Sequence, residues 1–241
     1  MKPCMTCKNK PTKNGVFKAH LEDFVDKNLP KNNKCYFDKS GNKIHITNLK
    51  PNKTIFYFAT EERDFTKSIK SQIEAYGNLK NSGVVKVNKD GEATAYLQCP
   101  QLYINSDGNV YSRHMHFLYW DDNKDTWNNT LYTQQLLCNV NEEFVKKYMK
   151  KSIIIDAKTE EYYNKSHIKG AINLPYNKRW NEESILEELS KGIKNYDGDK
   201  LVPIIIYCAK GCNAAEKLYH KLNKFGFYNT MHAEGNLASL H

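Results

Sequence analysis

Through the middle of the chain, apolar residues come in short runs of Ile, Val, Tyr and Phe broken by Asn, Asp and Gly, a spacing that predicts antiparallel strands joined by turns. The clearest runs are residues 43–47, 54–59, 83–87, 92–98 and 110–120, with Asp90-Gly91 as a hairpin turn between the third and the fourth. Near Asn139 the period changes. A helix over about 141–150 carries Glu142 and Glu143 near its start and lysines at its end, as the helix dipole prefers. Strands at 152–156, 171–174, 202–207 and near 228–231 then alternate with helices from Thr159, around 182–189 and over 213–225, the pattern of a mostly parallel sheet. The expected fold is therefore an α+β chain of two domains. A leader over 1–40 precedes a mainly-β sandwich over 41–138 and an α/β domain over 139–241. In the leader, Phe17, Leu21, Phe24 and Val25 recur at helical spacing before Pro30.

Composition narrows the function classes. The net charge of +9 comes from 36 basic and 27 acidic residues. The lysines are scattered and interleaved with acids, unlike the basic face of a nucleic-acid reader. No run approaches the apolar length that spans a bilayer, so neither nucleic acid nor membrane is an expected partner. The start, Met1-Lys2-Pro3-Cys4, lacks the apolar core of a secretory signal, which points to a cytoplasmic protein. The seven cysteines are then expected to be mostly free thiols or ligands.

One segment carries chemistry. The apolar run Ile204-Ile205-Ile206-Tyr207 leads into Cys208, and the short loop Ala209-Lys210-Gly211-Cys212-Asn213 is followed by a helix with Ala215, Leu218, Tyr219 and Leu222 on one face. A cysteine so placed sits at the carboxyl end of a strand, where open α/β sheets bind ligands. Loop N–H groups and the helix start would surround its sulfur with positive dipole, lowering the thiol pKa. Gly211 permits the curvature and Lys210 adds charge at the rim. A thiolate in that cup can attack the outer sulfur of an anionic donor. Cys212 either resolves a persulfide or protects Cys208 as a disulfide, or is a small buried residue.

The loop resembles the active-site loop of the rhodanese family, and the match continues upstream. Asp156 in Ile154-Ile155-Asp156-Ala157-Lys158 is similar to that family's Asp-x-Arg strand end, with Lys158 in place of Arg. Ser166-His167-Ile168-Lys169-Gly170-Ala171-Ile172-Asn173-Leu174-Pro175 resembles its Gly-His-Ile-Pro-Gly-Ala-x-Asn-x-Pro signature. The resemblance implies a sulfurtransferase that takes sulfane sulfur from a donor such as thiosulfate, holds it as a persulfide on Cys208 and passes it to a thiol or protein acceptor, with no cofactor. His167 is expected to fix backbone between a helix and the next strand. Phosphatases on the same fold have a loop longer by one residue and ending in Arg, whereas Asn213 stands here.

In the β-rich half, His114 and His116 lie two apart on an expected strand, so both side chains leave one face. The segment from Asp90 through Cys99-Pro100 to Tyr103 precedes them, and together these resemble the strand, Pro, Tyr and paired histidines of the intradiol ring-cleaving dioxygenases. That family binds iron through two tyrosines and two histidines in a transthyretin-like sandwich. By this resemblance Tyr103, His114 and His116 are candidate ligands for iron or zinc, with Tyr57 or Tyr111 as the second tyrosine and Cys99 as a further soft donor. Cys4 and Cys7 form a separate Cys-x-x-Cys pair that could close a zinc site with Cys35, His20 or His45, or accept sulfur from Cys208. Three functions follow: a sulfurtransferase centred on Cys208, a catalytically idle module acting as thiol sensor or docking domain, and a metal-dependent oxygenase in the first half.

Overall fold

The computed structural model describes residues 28–240 except 63, 68–70, 106–107, 129, 195, 210, 236 and 238–239. The leader helix expected around Phe17 to Val25, the Cys4/Cys7 pair and Lys210 lie outside the described residues. Contacts divide the chain between Leu136 and Leu137 into two compact units.

The first unit is built on antiparallel strands: β1 (Asn42–Ile46), β2 (Thr54–Ala59), β3 (Ser82–Lys86), β4 (Ala93–Leu97), β5 (Tyr103–Ile104), β6 (Val110–Tyr111), β7 (His114–Asp121), β8 (Thr126–Trp127) and β9 (Tyr132–Gln135), together with the short helix α1 (Gln72–Tyr76). Its main sheet runs β3-β2-β7-β8, and β9 also pairs with β7. Alternate residues of β2 serve two cores. Phe56 and Phe58 pack with Tyr76, Tyr103, Leu118 and Trp127 on one face. Ile55, Tyr57 and Ala59 pack with Ile46, Ala95, Leu97 and Met115 on the other. Burial on both faces explains why β2 and β7 read as unbroken apolar runs rather than alternating ones. The second face is covered by the β1-β4 ribbon. The first is covered by α1 and the β5-β6 arm rather than by another broad sheet.

The Asp90-Gly91 hairpin does not form as expected. A tight turn is present: the Asn88 side chain accepts from the Asp90 and Glu92 N–H groups at 2.9 and 2.8 Å, and Gly91 takes φ +77°. The strands it joins, however, enter different sheets, β3 beside β2 and β4 beside β1. The turn is a crossing between layers.

In the second unit, β10 (Asn139–Val140), β11 (Ile153–Asp156), β12 (Ile172–Asn173), β13 (Ile204–Tyr207) and β14 (Thr230–Ala233) form one sheet in the order β10-β14-β13-β11-β12, parallel at every pairing. Helices α2 (Glu142–Tyr148), α3 (Glu160–Lys165), α4 (Glu182–Gly192) and α5 (Ala214–Lys224) alternate with the strands. Two helices are capped by an asparagine side chain: Asn141 accepts from the Phe144 N–H, and Asn181 forms a reciprocal capping box with Ser184. Ile153, Ile155, Ile204 and Ile206 meet Leu218, Tyr219 and Leu222 of α5 and Ile185 and Leu189 of α4. Each such aliphatic side chain contributes about 1.5–3 kcal/mol by leaving water. That packing fixes β13 at the middle of the sheet and α5 against it, which sets the geometry of the loop between them.

Candidate functional site

Because all strands of the second unit run parallel, their carboxyl ends share one edge, and Cys208 follows directly on β13 there. The Cys212 N–H donates to the Ala209 carbonyl at 3.0 Å, closing a turn in which Gly211 takes φ +77°. A Cβ at Gly211 would meet nothing within 4 Å, so it is the left-handed backbone that favours glycine here. The Cys208 thiol donates to the Cys212 carbonyl at 3.0 Å and hydrogen-bonds to the Cys212 side chain. The N–H groups of Ala214 and Ala215, at the start of α5, point to the Cys208 sulfur. The Ala214 N–H also lies 3.4 Å from the Cys212 sulfur. Ala209, Gly211, Cys212 and Asn213 are exposed and Cys208 is partly buried. Asn213 precedes α5 without capping it through its side chain.

The electrostatics of this cup differ from the expectation. Burial pushes the Cys208 thiol up to about 11, the neighbouring Cys212 thiol adds to the rise, and the Ala214 and Ala215 N–H groups oppose it without prevailing. The sulfur loses more hydration than two backbone dipoles replace, and its proton is already held by the Cys212 carbonyl.

Behind the loop a buried polar network joins the strand ends. Asp156, fully buried at the end of β11, accepts from the Lys158 N–H at 2.9 Å and pairs with the Lys158 ammonium at 3.2 Å. The Tyr207 hydroxyl hydrogen-bonds to Asp156 and accepts the Ile168 N–H at 2.9 Å. Burial first, then the Asp156 carboxylate, holds that phenol far above its usual range. His167 stacks on Tyr163 with ring centroids 3.9 Å apart, and its Nδ1 lies 2.9 Å from the Tyr163 carbonyl. It ties α3 to the following turn, the backbone role the sequence suggests.

The first unit holds a second cluster. His114 and His116 are both buried on β7, with their Nε2 atoms 3.2 Å apart. Each Nδ1 is taken up elsewhere, His114 by the Ser112 carbonyl at 2.5 Å and His116 by the Thr133 hydroxyl at 2.8 Å, which turns both Nε2 atoms toward a common point. The Tyr76 hydroxyl reaches His114 Nε2 at 3.2 Å. The Tyr103 ring lies 5.9 Å from that of His114 and 5.8 Å from that of Tyr76. Burial, and secondarily His114, holds His116 well below the usual histidine range, so its imidazole is neutral.

Tyr76, which the sequence does not single out, is the tyrosine whose hydroxyl reaches the histidines. Tyr57 belongs to the opposite face of β2, where its hydroxyl accepts the Tyr96 N–H at 3.2 Å. Tyr111 stacks on Tyr103 at 4.9 Å. A signal for Tyr76 existed: Ser71-Gln72-Ile73-Glu74 has the spacing of a capping box, and Ser71 accepts from the Glu74 N–H at 3.3 Å, starting the helix that ends on Tyr76. Cys99 is not a soft donor, because it is disulfide-bonded, as is Cys138. The expectation of mostly free thiols therefore fails for these two, while Cys35, Cys208 and Cys212 are free. Among the described residues no three His, Cys, Asp or Glu side chains gather as a metal site, and the Tyr76 hydroxyl lies beside the histidine pair.

Residues 140–239 match the family model of the rhodanese-like domain. Among solved structures the chain is similar to the Saccharomyces cerevisiae single domain sulfurtransferase RDL2, at 17% identity over 43% of this chain and 88% of that one, with a TM-score of 0.35. It is also similar to an uncharacterized protein from Saccharomyces cerevisiae, at 21% identity over 42% of this chain and 88% of that one, with a TM-score of 0.34. No curated protein matches the chain.

Proposed function

We propose that the rhodanese-like domain at residues 140–239 is a sulfurtransferase whose nucleophile is Cys208. The observation that carries this reading is the position of one partly buried sulfur at the carboxyl end of the central strand β13, faced by the first N–H groups of α5. In the first half-reaction the Cys208 thiolate attacks the outer sulfur of thiosulfate. The bond between that sulfur and the sulfonate breaks, and sulfite leaves with the electron pair. The Ala214 and Ala215 N–H groups then stabilise the negative sulfur through their dipoles. In the second half-reaction a thiophile, a small thiol or a protein cysteine, attacks the outer sulfur and returns Cys208 as thiolate. Neither step calls for a cofactor.

Intact mass before and after thiosulfate tests the reading. A gain of about 32 Da that requires Cys208 and disappears on cyanide treatment supports it. An unchanged mass in both wild type and Cys212→Ser, with thiosulfate and with an organic persulfide, favours the thiol-sensor or docking reading instead. No described helix is long and apolar enough to cross a membrane. The disulfide-bonded state of Cys99 and Cys138 weighs against the reducing cytoplasm expected from the sequence.

A second reading concerns the first unit and is favoured by the convergence of His114, His116 and Tyr76. Two imidazoles with their Nδ1 atoms held from behind, beside tyrosine hydroxyls, suit iron(III) better than zinc with its preference for nitrogen and sulfur. Tyr76, Tyr103, His114 and His116 would hold the ion. Bound there, it would supply a Lewis acid that draws an oxygen ligand out of water. Loading with ferric iron should produce the visible phenolate-to-iron absorption, and Tyr76→Phe or Tyr103→Phe should weaken it. Protein that stays colourless and binds no iron would make the cluster a hydrogen-bonded part of the core.

A further inference from the structure

The Cys208 loop holds two sulfurs. The Ala214 N–H, one of the two donors that face the Cys208 sulfur, lies 3.4 Å from the Cys212 sulfur. Closure of the turn from Ala209 to Cys212, made possible by Gly211, folds residue 212 back over residue 208, and the Cys208 thiol reaches the Cys212 carbonyl at 3.0 Å. Cys212 is exposed while Cys208 is partly buried. An exposed thiol held against the nucleophile has no packing role to explain it, which removes the reading of Cys212 as a small core residue.

We infer that Cys212 is a resolving thiol that discharges the Cys208 persulfide as hydrogen sulfide, giving the domain a second output beside sulfur transfer. The inference rests on the sulfurtransferase reading. In the step, the Cys212 thiolate attacks the inner sulfur, Cys208 Sγ. A bond forms between the two cysteine sulfurs, and the bond from Cys208 Sγ to the outer sulfur breaks. The outer sulfur leaves with the electron pair and takes up the proton lost by Cys212, departing as hydrosulfide. The two cysteines are together oxidised by two electrons, and the sulfane sulfur is reduced to sulfide by the same two. A dithiol then reduces the Cys208–Cys212 disulfide and resets the loop. The outer sulfur thus has two fates: an external thiophile removes it directly, or Cys212 displaces it. Short tethers give effective concentrations of about millimolar, so acceptors well below that level should lose to Cys212.

The sequence makes the products easy to separate, because Lys210 lies between the two cysteines and trypsin releases them on different peptides, residues 201–210 and 211–217. The full chain, pre-reduced and desalted, is given one equivalent of thiosulfate, quenched with an alkylating reagent and digested. Cys212→Ser and Cys212→Ala are treated alongside, with melting temperature as the folding control. In wild type, peptides 201–210 and 211–217 should appear cross-linked, with one equivalent of sulfide released. In both variants the added sulfur, about 32 Da, should persist on peptide 201–210 without sulfide release and remain transferable to cyanide. A wild-type persulfide as lasting as that of the variants overturns the inference and leaves the sulfurtransferase reading intact. The extra sulfur found on peptide 211–217 overturns it in favour of a relay through Cys212. No adduct on any of the three proteins overturns both readings.

Discussion

Persulfide formation by this protein is expected to accelerate about tenfold per pH unit between pH 7 and 9, a total of about 100-fold, because only the thiolate attacks and the Cys208 thiol is held up to about 11. Sulfite release is the measurement to use, since it reports the first half-reaction and is untouched by the titration of the acceptor. A plateau already reached below pH 8 would mean that the N–H groups of Ala214 and Ala215 outweigh burial, as the sequence alone suggests. The same shift has a stability consequence with a definite sign. Where the unfolded thiol has ionised and the folded one has not, the native state holds the extra proton. The contribution of Cys208 to stability is therefore full below pH 9 and is lost as pH rises from 9.0 toward about 11.

Removing the carboxylate behind the loop should have the largest effect on stability. Asp156→Ala is expected to cost about 3–5 kcal/mol, because it leaves the Lys158 ammonium buried without its counter-charge and the Tyr207 hydroxyl without its acceptor. Lys158 has an 11% exposed side chain and Asp156 is fully buried, so solvent does little to replace the pair. Urea unfolding of the full chain, followed by a probe in the second unit, measures the loss. Asp156→Ala combined with Lys158→Met should recover most of it, since the stranded charge goes as well. A loss below about 1 kcal/mol in the single variant would show that water reaches the network. Tyr207 immediately precedes Cys208, so the loop should also lose definition, and the rate of sulfite release should fall more than unfolding accounts for.

Much of this arrangement is legible in the sequence where local physics decides it. Residues 54–59 are a strand of that length because β-branched and aromatic side chains fill both cores. Asn141 begins a helix because its side chain supplies a missing acceptor. The Cys208 loop could be placed at a strand end from the run of isoleucines before it and the amphipathic helix after it. What escaped is what depends on partners distant in sequence. Whether β3 and β4 pair with each other or with β2 and β1 is settled by which layer each buries into, not by the turn between them. Strand β10 has two residues and no pattern of its own; its pairing with β14 makes it a strand. Tyr76 reaches the histidines only through the fold of the first unit. For Cys208 the helix N–H groups that lower the thiol are visible in the sequence, whereas the burial that raises it is not.

The pairing of β10 with β14 also governs when the second unit can be completed. His232 and Asn139, joined by a side-chain hydrogen bond, are separated by 93 residues. At a synthesis rate of about 5–20 residues per second, Asn139 leaves the ribosome about 5–20 s before its partner exists. Strand β13 is made only late in that interval, and for about 1–5 s it has no β14 beside it, with the Cys208 loop carried on a sheet with an open edge. The nucleophile is thus translated before the strands that fix it, and a nascent chain arrested between β13 and β14 would present both cysteines of the loop on an unfinished sheet.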